Sequence, residues 1–175
     1  MVELKRNYFI YRKKIFKMQN FNESFMREAI KQAKKAASIG ETPVGAVIVH
    51  KGKIIARGYN KREKNKCVLE HAEINAIKKA SKVLGGWRLP ECDMYVTLEP
   101  CPMCSGAIIQ ARIDNLYFGA YDPKNGCCGS KLNLFQPDLF YYNVNVVGGI
   151  LEKECSKMLT DFFKKLRLSK KERKD

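Results

Sequence analysis

The segment Val44-Gly45-Ala46-Val47-Ile48-Val49-His50 has no polar face before its last residue. Side chains alternate along a strand, so Ala46 and Ile48 would point one way and Val47 and Val49 the other, and both sets are apolar. Such a strand belongs inside a sheet that is covered on both faces. Lys51-Gly52 then reads as a turn, and residues 53–59 as the returning strand of a hairpin.

The rest of the chain supplies the cover. Asn22 suits a helix cap, and Phe25, Met26, Ala29, Ile30, Ala33, Ala36 and Ala37 recur on one helical face up to Gly40. A second helix is predicted from about His71 to Leu84, closed by Gly85-Gly86. Beyond it strand and helix alternate: a strand at 94–98, a helix at 102–112, a strand at 116–120, a Gly/Asn/Cys-rich loop at 122–133, a strand at 144–147 and an amphipathic helix at 152–166. A hairpin followed by β-α-β units predicts an α/β protein of three layers, with a mixed sheet of about five strands and helices on both faces. No repeat or linker divides the chain, so one domain is expected over 18–168, between a basic extension at 1–17 and a basic tail at 169–175.

At 175 residues the chain is long enough to bury a substantial core, and 45% apolar residues exclude disorder over its bulk. No uninterrupted apolar run approaches the roughly 20 residues of a bilayer-spanning helix. The net charge of +15 suggests a polyanionic partner, nucleic acid first and an acidic membrane surface second, or else a Lys-rich solvated surface. Residues 1–17 and 164–175 hold +5 each, so two-thirds of the excess lies in the tails. Arg12-Lys13-Lys14 interrupts the first segment and no small-residue cleavage site follows, unlike a secretory signal. Met18 offers an alternative start, with residues 1–17 a flexible or mis-assigned extension. Seven cysteines, an odd number with no export signal, fit a reducing cytoplasm better than a disulfide framework.

Of the two histidines, one heads His71-Ala72-Glu73 at the second helix start, and Pro100-Cys101-Pro102-Met103-Cys104 lies between a strand and a helix. Alone, the Cys-x-x-Cys reads as a redox pair, half a zinc finger or two buried thiols. Together the pieces spell His-x-Glu … Pro-Cys-x-x-Cys, the signature of the zinc-dependent base deaminases. Pro102 suits the first helical position, which puts Cys101 at the cap and Cys104 one turn on, both sulfurs facing one point. The positive helix end favours the thiolates that zinc takes. His71 adds a nitrogen, and three protein ligands with an open fourth position make a catalytic, not a structural, zinc site. Glu73 stands too near His71 along the helix to reach the metal from the same side. It reads as the base that takes a proton from water and returns it to a ring nitrogen and a leaving amine. His50 reads as structural, and Cys67, Cys92 and Cys155 as small core or surface residues. Cys127-Cys128, in the loop, reads as packing or as a substrate contact.

The sequence resembles the bacterial tRNA-specific adenosine deaminases of the cytidine-deaminase-like fold. The resemblance is carried by Glu41-Thr42-Pro43-Val44-Gly45-Ala46-Val47, His71-Ala72-Glu73-Ile74, Leu98-Glu99-Pro100-Cys101-Pro102-Met103-Cys104-Ser105-Gly106-Ala107 and Phe118-Gly119-Ala120-Tyr121-Asp122-Pro123-Lys124. Gly126, Gly129-Ser130, Asn133 and Phe162-Phe163 with the following basic residues continue it, so that it covers roughly residues 20–168. The N-terminal extension and Lys66-Cys67-Val68-Leu69-Glu70 depart from the family pattern.

The resemblance implies hydrolytic deamination of the wobble adenosine of a tRNA anticodon to inosine, by a cytoplasmic homodimer holding one Zn2+ per chain. It implies His71, Cys101 and Cys104 as zinc ligands and Glu73 as the proton shuttle. Asn60 would hydrogen-bond the flipped nucleoside, although a strand-end Asn also forms turns. The backbone of Ala72 and Pro100 would line the pocket. Asp122 would meet a neighbouring nucleotide through a ribose hydroxyl, or else start the turn before Pro123. The nearest alternative is a zinc deaminase of a free base or nucleotide, of the cytosine, guanine or dCMP type. That reading leaves the basic tail and the loop around Asp122 without a role. A non-catalytic zinc module would need a fourth ligand and leaves Glu73 unexplained, and a thioredoxin-like redox protein would not require His71.

Overall fold

The computed structural model describes residues 22–171; the expectations for 1–17, for Met18 and for 172–175 lie outside the described residues. Helix α1 spans Glu23–Ser38. Asn22 caps it, its side-chain oxygen accepting from the Ser24 N–H at 2.9 Å. The hairpin follows as β1, Gly45–His50, and β2, Lys53–Tyr59. A four-residue helix α2, Arg62–Asn65, comes next. It buries none of its residues, so it leaves no hydrophobic period to be read. Then come α3, Ala72–Leu84, β3, Cys92–Leu98, α4, Pro102–Gln110, β4, Asn115–Ala120, β5, Asn145–Val147, and α5, Glu152–Lys171.

Strand β3 starts two residues before the expected 94, β4 and β5 each start one residue off, and two helix ends also differ from expectation. Helix α4 stops two residues before Arg112, which takes a left-handed φ of 58°. Helix α5 does not stop at Leu166 but runs to Lys171, so the boundary drawn after residue 168 falls inside it. Residues 164–171 contain neither Gly nor Pro, and Lys, Arg and Leu propagate a helix past the end of its packed face.

The five strands form one mixed sheet in the order β2-β1-β3-β4-β5. β1 pairs antiparallel with β2 and β3; β3–β4 and β4–β5 are parallel. The alternation along β1 sorts the core as the sequence requires. Ala46 and Ile48 join Met94, Val96, Leu116 and Phe118 beneath Ala72, Ala76 and Ala80 of α3 and Ile108 of α4. Val47 and Val49 join Tyr95 and Tyr117 on the other face, under Met26, Ala29 and Ile30 of α1 and Cys155 of α5. Each buried Val, Leu, Ile, Met or Phe side chain in these layers contributes about 1.5–3 kcal/mol. Among the described residues, no helix is long and apolar enough to cross a membrane.

The topology also places the site. β2 and β3 both run antiparallel to β1, and β4 runs parallel to β3, so these three strands end at the same edge of the sheet. The connections leaving Tyr59, Leu98 and Ala120 therefore gather where α/β sheets commonly bind ligands.

Candidate active site

The first turn of α3 is built against β2. Gly58 lies so close to it that a Cβ would stand 2.1 Å from the Ala72 carbonyl oxygen and 2.6 Å from the Ala76 nitrogen. Only glycine admits that approach. His71 is the N-cap of α3 and makes no side-chain capping bond. The capping is done from β2's end, where Asn60 Oδ1 accepts from the Ala72 N–H at 2.9 Å. His71 is thereby released from its own helix, and its ring meets α4.

Helix α4 begins with Pro102 in its first turn and Cys101 as N-cap, again without a capping bond from the side chain. His71 Nδ1 lies 3.8 Å from Cys101 Sγ and 3.5 Å from Cys104 Sγ. All three ligand atoms lie within 4.8 Å of one another. Ligands on a tetrahedral zinc with ordinary Zn–N and Zn–S bonds stand about 3.6 Å apart, so the donor set fits that ion. The Cys101 thiol is lowered to about 4, chiefly by its hydrogen bond from Cys104 and then by His71. Cys104, the donor in that pair and buried, is pushed far up. His71 is raised, first by its bond to Cys101. A divalent metal takes thiolates and neutral imidazole, so binding would release protons from Cys104 and His71.

Glu73 lies in the first turn of α3 and is 4% exposed. Among the described residues its buried Oε2 has no hydrogen-bond partner. Burial raises its pKa, and Glu73 in turn raises that of Cys104. An unpaired carboxyl oxygen costs free energy in such a place unless something else meets it. Beside a three-ligand metal set, this arrangement can hold and transfer a proton.

The remaining expected residues gather at the same edge but are partly committed elsewhere. Ala72 gives its N–H to Asn60, while no partner takes the Asn60 Nδ2 among the described residues. The Pro100 carbonyl accepts from the Cys127 N–H at 2.9 Å and from Ser105 Oγ at 3.3 Å. Asp122 starts a turn: its Oδ1 accepts from Lys124 and Asn125 N–H at 3.0 and 3.2 Å, and its carbonyl from Gly126 N–H at 2.8 Å. Its Oδ2 makes no bond of this kind among the described residues. Cys127 is buried, and Cys128 packs against the core beside it. His50 faces Glu91 at a strand end, 3.9 Å away, and Cys92 and Cys155 are core residues.

Two further residues organise the edge, both inside stretches that carry the family resemblance but with no role read for them from the sequence. Glu99 and Glu41 are each 2% exposed. Glu99 accepts from the backbone of Asp122, Cys128 and Ser130, and Glu41 Oε1 accepts from the Lys64 N–H at 2.8 Å. Apart from those stretches, their trace in the sequence is an acid next to an apolar strand.

The chain matches the MafB19-like deaminase family over residues 20–167. It is 51% identical over 150 residues to the tRNA-specific adenosine deaminase of Bacillus subtilis (strain 168), an alignment covering 86% of this chain and 93% of that protein. A solved structure from work on A-to-I editing by tRNA:A34 deaminases at the wobble position of transfer RNA is similar at a TM-score of 0.76 and 42% identity, over 79% of this chain and 100% of that one. The guanine deaminase of Bacillus subtilis is similar at a TM-score of 0.56 and 42% identity, over 58% of this chain and 66% of that one. The match spans nearly the whole length of the tRNA-specific protein, and by it this chain belongs to the tRNA-specific adenosine deaminases.

Proposed function

We propose that this chain deaminates the wobble adenosine of a tRNA anticodon to inosine, with one zinc ion held by His71, Cys101 and Cys104. The observation that carries the reading is a His/Cys/Cys donor set at two helix N-termini beside a buried carboxyl oxygen that has no partner. The chemistry that zinc supplies when bound is Lewis acidity, which makes water nucleophilic near neutral pH.

The protein groups do the rest. Glu73 takes one proton from the attacking water and gives it to the purine N1, then takes the second from the hydroxyl now on C6 and gives it to the departing amine. Water thus replaces ammonia at C6, and the carboxylate is restored. Burial holds its pKa above the usual carboxylate range, which suits a group that must carry a proton between steps. Asn60, its Oδ1 fixed by Ala72, keeps Nδ2 as a donor for the flipped nucleoside. Ala72 and Pro100 wall the pocket, since the N–H of one and the carbonyl of the other are already bonded. Asp122 Oδ2 is the atom left to meet a ribose hydroxyl.

The deaminase domain begins near residue 18 and takes in all of α5 to Lys171, with residues 1–17 as a basic extension. Lys164, Lys165 and Arg167 on α5 would take RNA phosphates, so removing each should reduce the salt dependence of binding by about one unit of slope. A homodimer is supported by exposed apolar side chains: Arg112 lies over both Trp87 and Tyr141, and Phe140 borders α4 at Ile109. A cytoplasmic location is supported by seven free cysteines.

The test is zinc analysis of the purified protein together with deamination of a short anticodon stem-loop. About one zinc per chain and inosine at the wobble position are expected. Glu73→Ala should keep the metal and abolish inosine. Turnover of free guanine or cytosine, with no inosine from any tRNA transcript, would overturn the reading in favour of a free-base deaminase.

A further inference from the structure

Glu99 directly follows β3 and stands two positions before the ligand Cys101, yet its side chain is used for neither metal nor proton transfer. Both its oxygens are spent on one loop. Oε1 accepts from the Cys128 N–H at 2.8 Å and the Ser130 N–H at 3.1 Å. Oε2 accepts from the Asp122 N–H at 3.0 Å and from the Ser130 hydroxyl. Four donors fill the acceptor capacity of a carboxylate. The fit is close: a Cβ on Gly126 would stand 2.3 Å from the Glu99 carboxyl carbon. The next residue continues the tether, because the Pro100 carbonyl receives the Cys127 N–H at 2.9 Å.

The loop so held has little regular structure of its own. Between β4 and β5 it has an Asp122 turn and one isolated bridge, Cys128 to Asn133. What sets its position relative to the ligand-bearing turn is the Glu99 carboxylate together with the Pro100 carbonyl. We infer that Glu99 is a positioning residue for substrate recognition: it seats the 122–130 loop, and Asp122 with it, beside the pocket before RNA arrives. This rests on the reading of that loop as substrate-facing. A loop that must find its position during binding lowers the apparent affinity by the fraction of time it is misplaced, and leaves the reacting groups alone.

Glu99→Gln tests this. It keeps the size of the side chain but turns one acceptor into a donor facing donors. The variant should hold zinc like the parent protein. Its KM for an anticodon stem-loop should rise about tenfold with kcat changed little, and the Cys128 and Ser130 amides should lose hydrogen-exchange protection. Ser130→Ala removes one of the four bonds and should shift KM the same way by less; it decides the matter if Glu99→Gln does not fold. Glu99→Asp, too short to reach both ends of the loop, should resemble Glu99→Gln. A fall in kcat at unchanged KM would overturn the inference, as would loss of zinc or unaltered amide protection. If the parent protein makes no inosine, the functional reading falls and the recognition role with it. The exchange measurement then still tests the tether by itself.

Discussion

The floor of the site and its rim each contain a buried carboxyl group, and burial alone does not tell them apart. Glu73, on the floor, is 4% exposed and Glu99, under the rim, is 2% exposed. Their partners differ. Glu73 Oε2 has none, whereas Glu99 has four donors on its two oxygens. A saturated carboxylate has compensated its desolvation and serves the fold; one with an oxygen left over retains the capacity to do chemistry. The supports differ as well. The floor groups stand on the first turns of α3 and α4, where backbone bonding and packing on the sheet fix them. The rim connections lack such scaffolding and hang on Glu99 and Glu41.

The largest effect should come from breaking the floor. Cys104→Ala leaves two ligands, so the protein should purify without stoichiometric zinc and without turnover, as metal analysis alongside the stem-loop assay would reveal. Glu73→Gln comes next. It should lower kcat by about 10²–10⁴-fold while zinc stays bound, with little loss of thermal stability, because Oε2 makes no hydrogen bond among the described residues for the change to break. A clear drop in melting temperature would mean that Glu73 is structural, and the contrast with Glu99 would collapse.

Gly58→Ala probes the floor's support without touching a reactive group. The added Cβ meets the Ala72 backbone, which must move, so we expect a cost of about 1–3 kcal/mol in denaturant unfolding and a fall in turnover as His71 and Glu73 shift. The smallest effect belongs to the weaker rim tether. Glu41→Gln leaves Oε1 free to accept from Lys64, and should cost less than about 1.5 kcal/mol and change kcat little. A loss of turnover comparable with that of Glu73→Gln would erase the distinction between rim and floor.

Much of this was legible residue by residue. Asn22 as a cap, the turn at Lys51-Gly52, the end of α3 at Gly85 and Pro102 in the first turn of α4 depend on a few neighbouring residues, and all appear where expected. The two-sided apolar pattern of β1 required cover on both faces and received it. Helix α2 was not legible, because four exposed residues make no periodicity. Asp122 had two readings, and its Oδ1 realises the turn while Oδ2 stays available. Gly58 carried no mark of its importance, since what it permits is the approach of a helix whose first turn begins 14 residues further on.

By itself, the sequence determined the layers, the strand faces and the spacing that sets Cys101 and Cys104 one turn apart. These follow from backbone periods that act over a few residues. Only the tertiary structure decided that His71 meets those sulfurs and that, of three buried glutamates, one is left without a partner on Oε2. The partners that satisfy Glu99 lie 23 to 31 residues along the chain, and the one that satisfies Glu41 lies 23 away. No local pattern encodes whether such a carboxylate will be met; that is settled when the strands align and their connections fold over the same edge of the sheet.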